Sequence, residues 1–553
     1  MLGRKVESLA LVALAAALVA AAAEPAVPGS EARAQRAQPD VLGYRISIGI
    51  GPDPTAFRAS TAVTALITEC CTTSLHFDLV GLEVDSVAVD GAQAGFERRS
   101  GTLRVELGRP AAEGDTVVVQ VFYHGVPQDG LIFKTNMYNR PTVFADNWPE
   151  RARYWFPSVD HPGDKATVEF RVQAPEAWRV VGVGELLEES DLGDGTKLWI
   201  WATDRPIPVY TMVVGAGELT VRELGSSGCE VDASHCVRVT QWTYEEDADV
   251  AQRLFRRAPE IVAFFDSLIG PFPYEKLALV QSSTRFGGME NSSAIFLLER
   301  IGRLSDADRL LAHEIAHQWF GDAVTQREWP HIWLSEGFAT YFTSVFFEFV
   351  EGDSLAAAQR AEAEETLYMG SGAERPVIDR EPENLFTLLT ANAYQKGAWV
   401  LHMLRQVVGD EAFFSGIRRY YEEHRHATAL TADLQRTMED VSGQDLGWFF
   451  EQWLERPGYP QVELDCSWDR GEDVLRVRVH QAQPWSEFRF PLELEAEGDG
   501  YELRQTFWVE ERGSVLEWAL PSEPTRVRAD PENKVLGPIK LVPVAQNGAG
   551  YTR

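Results

Sequence analysis

The sequence predicts a multidomain α+β chain: an N-terminal β domain, a mainly helical middle domain and a C-terminal β-sandwich. Three observations carry that expectation. The chain has 553 residues, room for two to four domains at about 150 residues each. The period of its apolar residues changes from two to helical near Asp249 and returns to two after Pro457 and Gly458. With 45% hydrophobic and 11% aromatic residues, it can bury several cores, which excludes an intrinsically disordered chain.

Residues 1–34 read as a signal peptide and linker. Arg4 and Lys5 precede a run from Leu9 to Ala23 made only of Leu, Val and Ala, followed by small residues and Pro. The run is short for a membrane span of about 20 residues, so the expectation is an exported protein, periplasmic or extracellular, with no stable membrane insertion after cleavage. A tether through an uncleaved segment is the alternative. Residues 35–217 read as the β domain, with alternating runs at Thr116–Tyr123, Ala166–Ala174 and Val209–Val214 between Gly, Pro and Asp turns.

Residues 218–457 read as the helical domain. Apolar stripes mark Asp249–Leu268, Ser305–Phe320, Glu336–Val350, Asn392–Val408, Asp410–His424 and Asp445–Glu455, with one strand-like run at Leu277–Ser283. Residues 458–553 return to short alternating strands such as Val474–Val479, the pattern of a small sandwich.

Charge narrows the partners. Lys plus Arg number 51 and Asp plus Glu 83, so the net charge is −32; a field of that sign repels phosphate, and no nucleic-acid partner is expected. Five cysteines leave at least one unpaired. Cys229 and Cys236 flank a short polar loop and are the expected disulfide in an oxidising compartment.

The chemistry centres on His313-Glu314-Ile315-Ala316-His317, which matches H-E-x-x-H. Residues four apart share a helix face, so both imidazoles can reach one metal while Glu314 projects beside it. Ser305 with Asp308 resembles a capping box, and Gly321 stands where a C-terminal cap belongs. A catalytic zinc needs a third protein ligand and one open position. Glu336 lies 19 positions after His317 and starts the next helical pattern; on chemistry alone it competes with Asp322, Glu328 and His331, the last in a Trp329-Pro330-His331 turn that favours a structural role.

These residues carry a family resemblance. H-E-x-x-H, eighteen residues and then Glu, set in Trp333-Leu334-Ser335-Glu336-Gly337-Phe338-Ala339, resembles the gluzincin aminopeptidases, the family of aminopeptidase N and leukotriene hydrolase. Gly287-Gly288-Met289-Glu290-Asn291 is similar to that family's G-x-M-E-N exopeptidase motif, Tyr394-Gln395-Lys396-Gly397 to its catalytic-tyrosine segment, and Phe156 to Pro162 to a landmark in its β domain. The motifs stand in the family's order, and the resemblance covers residues 44–460. It implies a thermolysin-like catalytic domain that binds one zinc ion through His313, His317 and Glu336, with Glu314 as general base and Tyr394 as oxyanion donor. It further implies that Glu290 holds the substrate's terminal ammonium, that Gly287 and Gly288 admit the peptide backbone at a strand edge, and that Met289 lines the first side-chain pocket. The implied substrates are peptides with a free N-terminus.

Two departures stand out. Many members carry Gln or Glu nine residues before the Pro matching Pro157; here that position is Trp148, with Asp146, Asn147 and Glu150 as neighbouring stand-ins. The residues after Gly458 read as strands, so the long helical domain that closes the site in larger members is not expected here. Other readings are a zinc-containing peptide-binding protein without catalysis, a zinc endopeptidase, and an epoxide hydrolase of the leukotriene type. Asn291-Ser292-Ser293 also reads as a glycosylation sequon, taken here as a chance match.

Overall fold

The structure is a computed structural model that describes residues 39–229, 236–369 and 374–542; the expected export segment, 1–34, lies outside them. Among the described residues no helix is long and apolar enough to cross a membrane. The chain divides into two compact units, 1–329 with 421–430, and 330–420 with 431–553.

The first unit opens on a large sheet. Its strands run in the order Glu185–Asp191, Thr196–Ala202, Lys165–Pro175, Asp40–Gly49, Arg58–Leu66, Thr116–His124, Glu83–Val89, Ala92–Gln93. Asp40–Gly49 pairs parallel with Lys165–Pro175 and antiparallel with Arg58–Leu66. Period-two patterning explains the face it buries from Tyr44 on, where Tyr44, Ile46 and Ile48 are buried; Val41, also buried, is set off from them by a register shift between Val41 and Gly43. Smaller sheets of four and three strands complete this β-rich part. The run expected as a strand at Val209–Val214 instead opens as a 3-10 turn, Val209–Thr211, before the strand Val214–Gly217. Pro208, whose ring fixes φ, precedes that turn and leads into it.

A five-stranded mixed sheet follows, ordered Thr220–Ser227, Val237–Thr243, Lys276–Gln281, Ala294–Leu297, Gly288–Met289. The one strand-like run read in the helical region, Leu277–Ser283, is its central member, Lys276–Gln281; every residue of it is buried, as parallel neighbours on both sides require. Gly288–Met289 is the edge strand. Cys229 and Cys236 are bonded across the first hairpin. The helical stripe Asp249–Leu268 is two helices, α1 (Ala248–Leu254) and α2 (Ala258–Leu268). Pro259 in the first turn of α2 accounts for the break, since proline has no N–H for a continuous helix to use. Helix α3 (Ala307–Ala316) completes the helices of this part.

The second unit carries α4 (Trp333–Glu351), α5 (Asp353–Met369), a π-helical turn at Asn392–Lys396, α6 (Gly397–Val408), α7 (Asp410–His424, whose last residues belong to the first unit), α8 (Thr431–Ser442) and α9 (Gly447–Phe450). Helices α5 and α8 have no counterpart in the sequence reading; α5 is rich in Ala and Glu with a weak apolar stripe. After Pro457 and Gly458 the chain forms two sheets, of four and three strands. Leu464, Leu475, Val477, Leu492, Leu494 and Val527 are buried, and the rings of Phe507 and Trp518, one from each sheet, meet at 6.0 Å.

Candidate metal and substrate site

Helix α3 carries the paired histidines. Asp306, one position later than the expected cap, accepts a hydrogen bond from the Arg309 N–H at 3.1 Å, and Asp308 pairs with Arg257. Leu311, Ala312, Ile315 and Ala316 are buried, so the helix is held by its apolar face. It ends sooner than Gly321. Backbone N–H groups of Asp322, Ala323 and Val324 reach back five residues, to the carbonyls of His317, Gln318 and Trp319 at 3.1, 3.2 and 3.0 Å. Lys165, from the large sheet, fastens that turn by donating to the carbonyls of Asp322, Ala323 and Ala427 at 2.8, 2.8 and 3.2 Å.

The two imidazoles face one another, with ring centroids 4.7 Å apart and planes at 88°. Their Nε2 atoms lie 3.1 Å apart. His317 Nδ1 stands 3.1 Å from the Phe320 carbonyl, which can only accept, so Nδ1 carries the proton and Nε2 presents its lone pair. That outer hydrogen bond is what a metal-ligating histidine ordinarily makes. Two nitrogens bound to one tetrahedral zinc at about 2.0–2.1 Å stand about 3.3 Å apart, so the observed spacing fits a shared cation.

Glu314, in the turn between the histidines, is 5% exposed. It lies against the edge strand: a Cβ placed on Gly288 would sit 2.1 Å from Glu314 Oε1, whereas one on Gly287 would meet nothing within 4 Å. The two glycines therefore differ. Gly288 is required by the carboxylate beside it, and Gly287 faces open space.

Glu290 and Met289 are buried. The segment that carries them is tied to α3 by Gln318, a residue the sequence reading passed over. Gln318 is fully buried; its Oε1 accepts from the Ser293 N–H at 2.7 Å, and its Nε2 donates to the Glu290 carbonyl at 2.6 Å and to Asp322 Oδ2 at 3.0 Å. Ser293 is pinned further: its carbonyl accepts from Lys276 Nζ at 2.9 Å, and its hydroxyl accepts from the Gly184 N–H at 2.8 Å. Asn291, Ser292 and Ser293 are each 1% exposed, which excludes a glycan in the folded protein. Burial, with the Glu290 carboxylate next in weight, pushes the Asp322 carboxyl well above its ordinary range.

Trp148 lies in the β domain, packed among other rings. Its buried indole meets Phe286 and Trp329 edge-on at 5.9 and 5.7 Å. The neighbouring polar residues are engaged internally. Asp146 accepts from Arg151, Asn147 accepts from Trp155 Nε1 at 2.8 Å and donates to the Met212 carbonyl at 2.7 Å, and Glu150 accepts from Trp329 Nε1 at 3.0 Å. Trp148, Phe286 and Trp329 thus form an aromatic cluster. Among the competing third ligands in this unit, Glu328 is exposed and Asp322 is bound to Gln318.

In the second unit, Glu336 is 6% exposed in the first turn of α4. His331 is held in its 3-10 turn by Thr431, 2.8 Å from Nδ1, and the same hydroxyl accepts from Trp333 Nε1 at 2.9 Å, the structural role expected of it. Helices α4 and α6 touch backbone to backbone: a Cβ on Gly337 would meet Gly397 Cα at 2.9 Å, and the reverse distance is also 2.9 Å. Glu336 stands one residue before Gly337, and Tyr394 three before Gly397, on the elements that this contact joins. Tyr394 lies in the π-helical turn, a local irregularity frequent at functional sites. Beside it, Lys396 is 1% exposed and its Nζ has no hydrogen-bond partner among the described residues; burial pushes its ammonium down to about 7.

The comparisons with known proteins agree in outline. Residues 42–211 match the description "Peptidase M1 N-terminal domain", and residues 255–453 match "Peptidase family M1 domain". The chain is 25% identical over 460 residues to an aminopeptidase N of Lactococcus lactis, covering 76% of this chain and 52% of that protein. It is 26% identical over 418 residues to the Tricorn protease-interacting factor F2 of Thermoplasma acidophilum, covering 70% and 50%. The chain thus spans about half the length of the curated relatives it matches. Its fold is similar to that of an M1 zinc metallopeptidase from Deinococcus radiodurans, at 24% identity and TM-score 0.65, covering 77% of this chain and 95% of that one. A mutant of that metallopeptidase, bound to a Tyr-Ser-Ala substrate, matches at TM-score 0.64.

Proposed function

The chain belongs to the M1 peptidase family, and from that premise we propose that it is a zinc-dependent aminopeptidase that removes N-terminal residues from peptides. The observation that carries the reading is the pair of histidine Nε2 atoms 3.1 Å apart with the buried Glu314 carboxylate in the turn between them. His313 and His317 would hold the ion, and Glu336, a buried carboxylate at the family's spacing, is the proposed third ligand. When bound there, zinc supplies a Lewis acid and brings the pKa of a water from about 15.7 to about 7.

Glu314 takes the proton of the attacking water at a carboxylate oxygen as the new C–O bond forms, and then returns it to the nitrogen of the departing amine as the C–N bond breaks. The Tyr394 hydroxyl donates to the oxygen that gains charge past the ground state. Glu290 pairs with the substrate's terminal ammonium and fixes the first peptide bond at one distance from the histidines. The free edge at Gly288–Met289 is the strand a peptide backbone would extend, with Gly287 leaving the space open, and Met289 would line the first side-chain pocket. We also propose export, on the Leu9–Ala23 run and on the Cys229–Cys236 bond, a bond that persists in oxidising compartments; N-terminal sequencing of the exported protein checks it.

Hydrolysis of aminoacyl p-nitroanilides beside their N-acetylated forms, with and without chelator, tests the enzymatic reading. Cleavage confined to free amines, lost on chelation and restored by zinc, is expected. Glu314→Gln is expected to keep the metal and to lose about 10²- to 10⁴-fold in kcat. Equal cleavage of acetylated substrates would remove the role of Glu290 and leave an endopeptidase.

A further inference from the structure

Cys70 and Cys71 are neighbours in sequence, and both are exposed. They occupy the turn between the strands Arg58–Leu66 and Thr72–Asp78. Successive side chains of an extended strand point to opposite faces and hold two such sulfurs apart. Here the chain bends instead. Cys71 adopts φ +64°, in the left-handed region, and Thr72 Oγ1 donates to the Glu69 carbonyl at 2.8 Å, closing the turn. The result brings the two Sγ atoms to 2.8 Å. Of the other cysteines, Cys229 and Cys236 are bonded to each other, and Cys466 is buried in the strand Val462–Asp469.

We propose that Cys70 and Cys71 form a redox-active vicinal dithiol, a modification site that closes into a disulfide ring on exchange with a low-molecular-weight disulfide. One cysteine thiolate attacks a sulfur of the small disulfide, forms a mixed disulfide and releases a small thiolate. The adjacent cysteine then loses its proton and attacks the protein sulfur of that mixed bond, forming Sγ–Sγ and expelling the second small thiolate. Two electrons pass from the protein thiols to the reagent, whose S–S bond is replaced by two thiols. The second step is intramolecular between atoms already close, so it outruns the first.

The ring holds eight atoms, and its two α-carbons are only about 3.8 Å apart, below the usual disulfide range of about 4.4–6.8 Å. A bond held in so tight a ring is more easily reduced than a structural one. Closure of the ring is therefore readily reversed by thiols. The neighbouring Cys71 thiol raises that of Cys70, so the exchange accelerates as pH rises toward and beyond the ordinary thiol range. In the reduced form, two sulfurs at this spacing suit a soft thiophilic ligand such as a trivalent arsenical, which bonds both with loss of water and no change of oxidation state.

The test uses the whole protein. After mild reduction, treatment with oxidised glutathione followed by alkylation under native conditions is expected to yield a peptide containing Cys70 and Cys71 that is unalkylated and two hydrogens lighter than its reduced form. The reduced protein is expected to alkylate at both, and to bind phenylarsine oxide one to one. Cys70→Ser and Cys71→Ser should each stop at a stable glutathione adduct and bind no arsenical; both positions are exposed, so folding is not at stake. Full alkylation after the glutathione step would overturn the proposal. So would a stable glutathione adduct on the unaltered protein, or arsenical binding that survives either substitution.

Discussion

At the scale of single residues, the site depends on a side chain outside the expected set. Gln318 is the second residue of a pair, His317 and Gln318, that face different tasks. One turns its Nε2 toward His313, and the other binds the Glu290 segment. Gln318→Leu keeps nearly the same volume but leaves the Ser293 N–H, the Glu290 carbonyl and Asp322 Oδ2 without their partner. Each buried orphan costs about 1–3 kcal/mol, so urea unfolding is expected to show a loss of at least ~2 kcal/mol. For free-amine substrates KM is expected to rise more than kcat falls, because the ammonium site has lost its tether; an unchanged KM would sink the link between Gln318 and Glu290. The two glycines give a paired expectation. Gly288→Ala drives a Cβ into Glu314 Oε1 and should lower kcat by about 10²-fold, the usual consequence of misplacing a reacting group by about 1 Å. Gly287→Ala has open space and should leave the thermal midpoint and metal content unchanged.

At the scale of elements, the π-helical turn before α6 holds Tyr394 and buries Lys396 two residues on. Burial lowers the Lys396 ammonium to about 7. Between about pH 7 and about pH 10 the unfolded chain keeps this proton while the folded chain does not. Stability therefore rises with pH across that window, by up to ~1.4 kcal/mol per unit, and is flat in this respect below it. The urea midpoint of the protein is expected to climb from about pH 7 to about pH 9, and Lys396→Met to be more stable at neutral pH with a smaller climb. The same slope in both proteins would mean that Lys396 is charged in the folded state. The turn and helix α4 are brought together by the Gly337–Gly397 contact, which is why the two glycines stand where a helix interior would otherwise disfavour them.

At the scale of the whole molecule, a net charge of −32 sets the approach of substrate, not the fold. Raising ionic strength from about 0.01 M to about 1 M shrinks the Debye length from about 30 Å to about 3 Å. For a peptide rich in Lys or Arg, kcat/KM is expected to fall several-fold over that range, and for one rich in Asp or Glu to rise. A salt response of the same sign for both would show that the overall field plays no part in substrate capture.

The sequence by itself determined what depends on near neighbours in the chain. The i, i+4 spacing of His313 and His317 puts both rings on one helical face in any fold that keeps the helix, and the change of apolar period marks where strands give way to helices and return. Boundaries were less legible: the cap is Asp306, one position past the expected Ser305, and Val209–Thr211 turns where alternation read a strand. The tertiary structure alone decided what depends on residues far apart in sequence. Gln318 finds Glu290 and Ser293 across 28 and 25 positions, Gly288 is required by a carboxylate from another element, and Trp148 became part of an aromatic wall once Phe286 and Trp329 packed on it. Periodicity reports which face of an element is buried, but not which other element covers it; that choice is made by packing, where hydrogen bonds and close contacts between distant segments have no local signature.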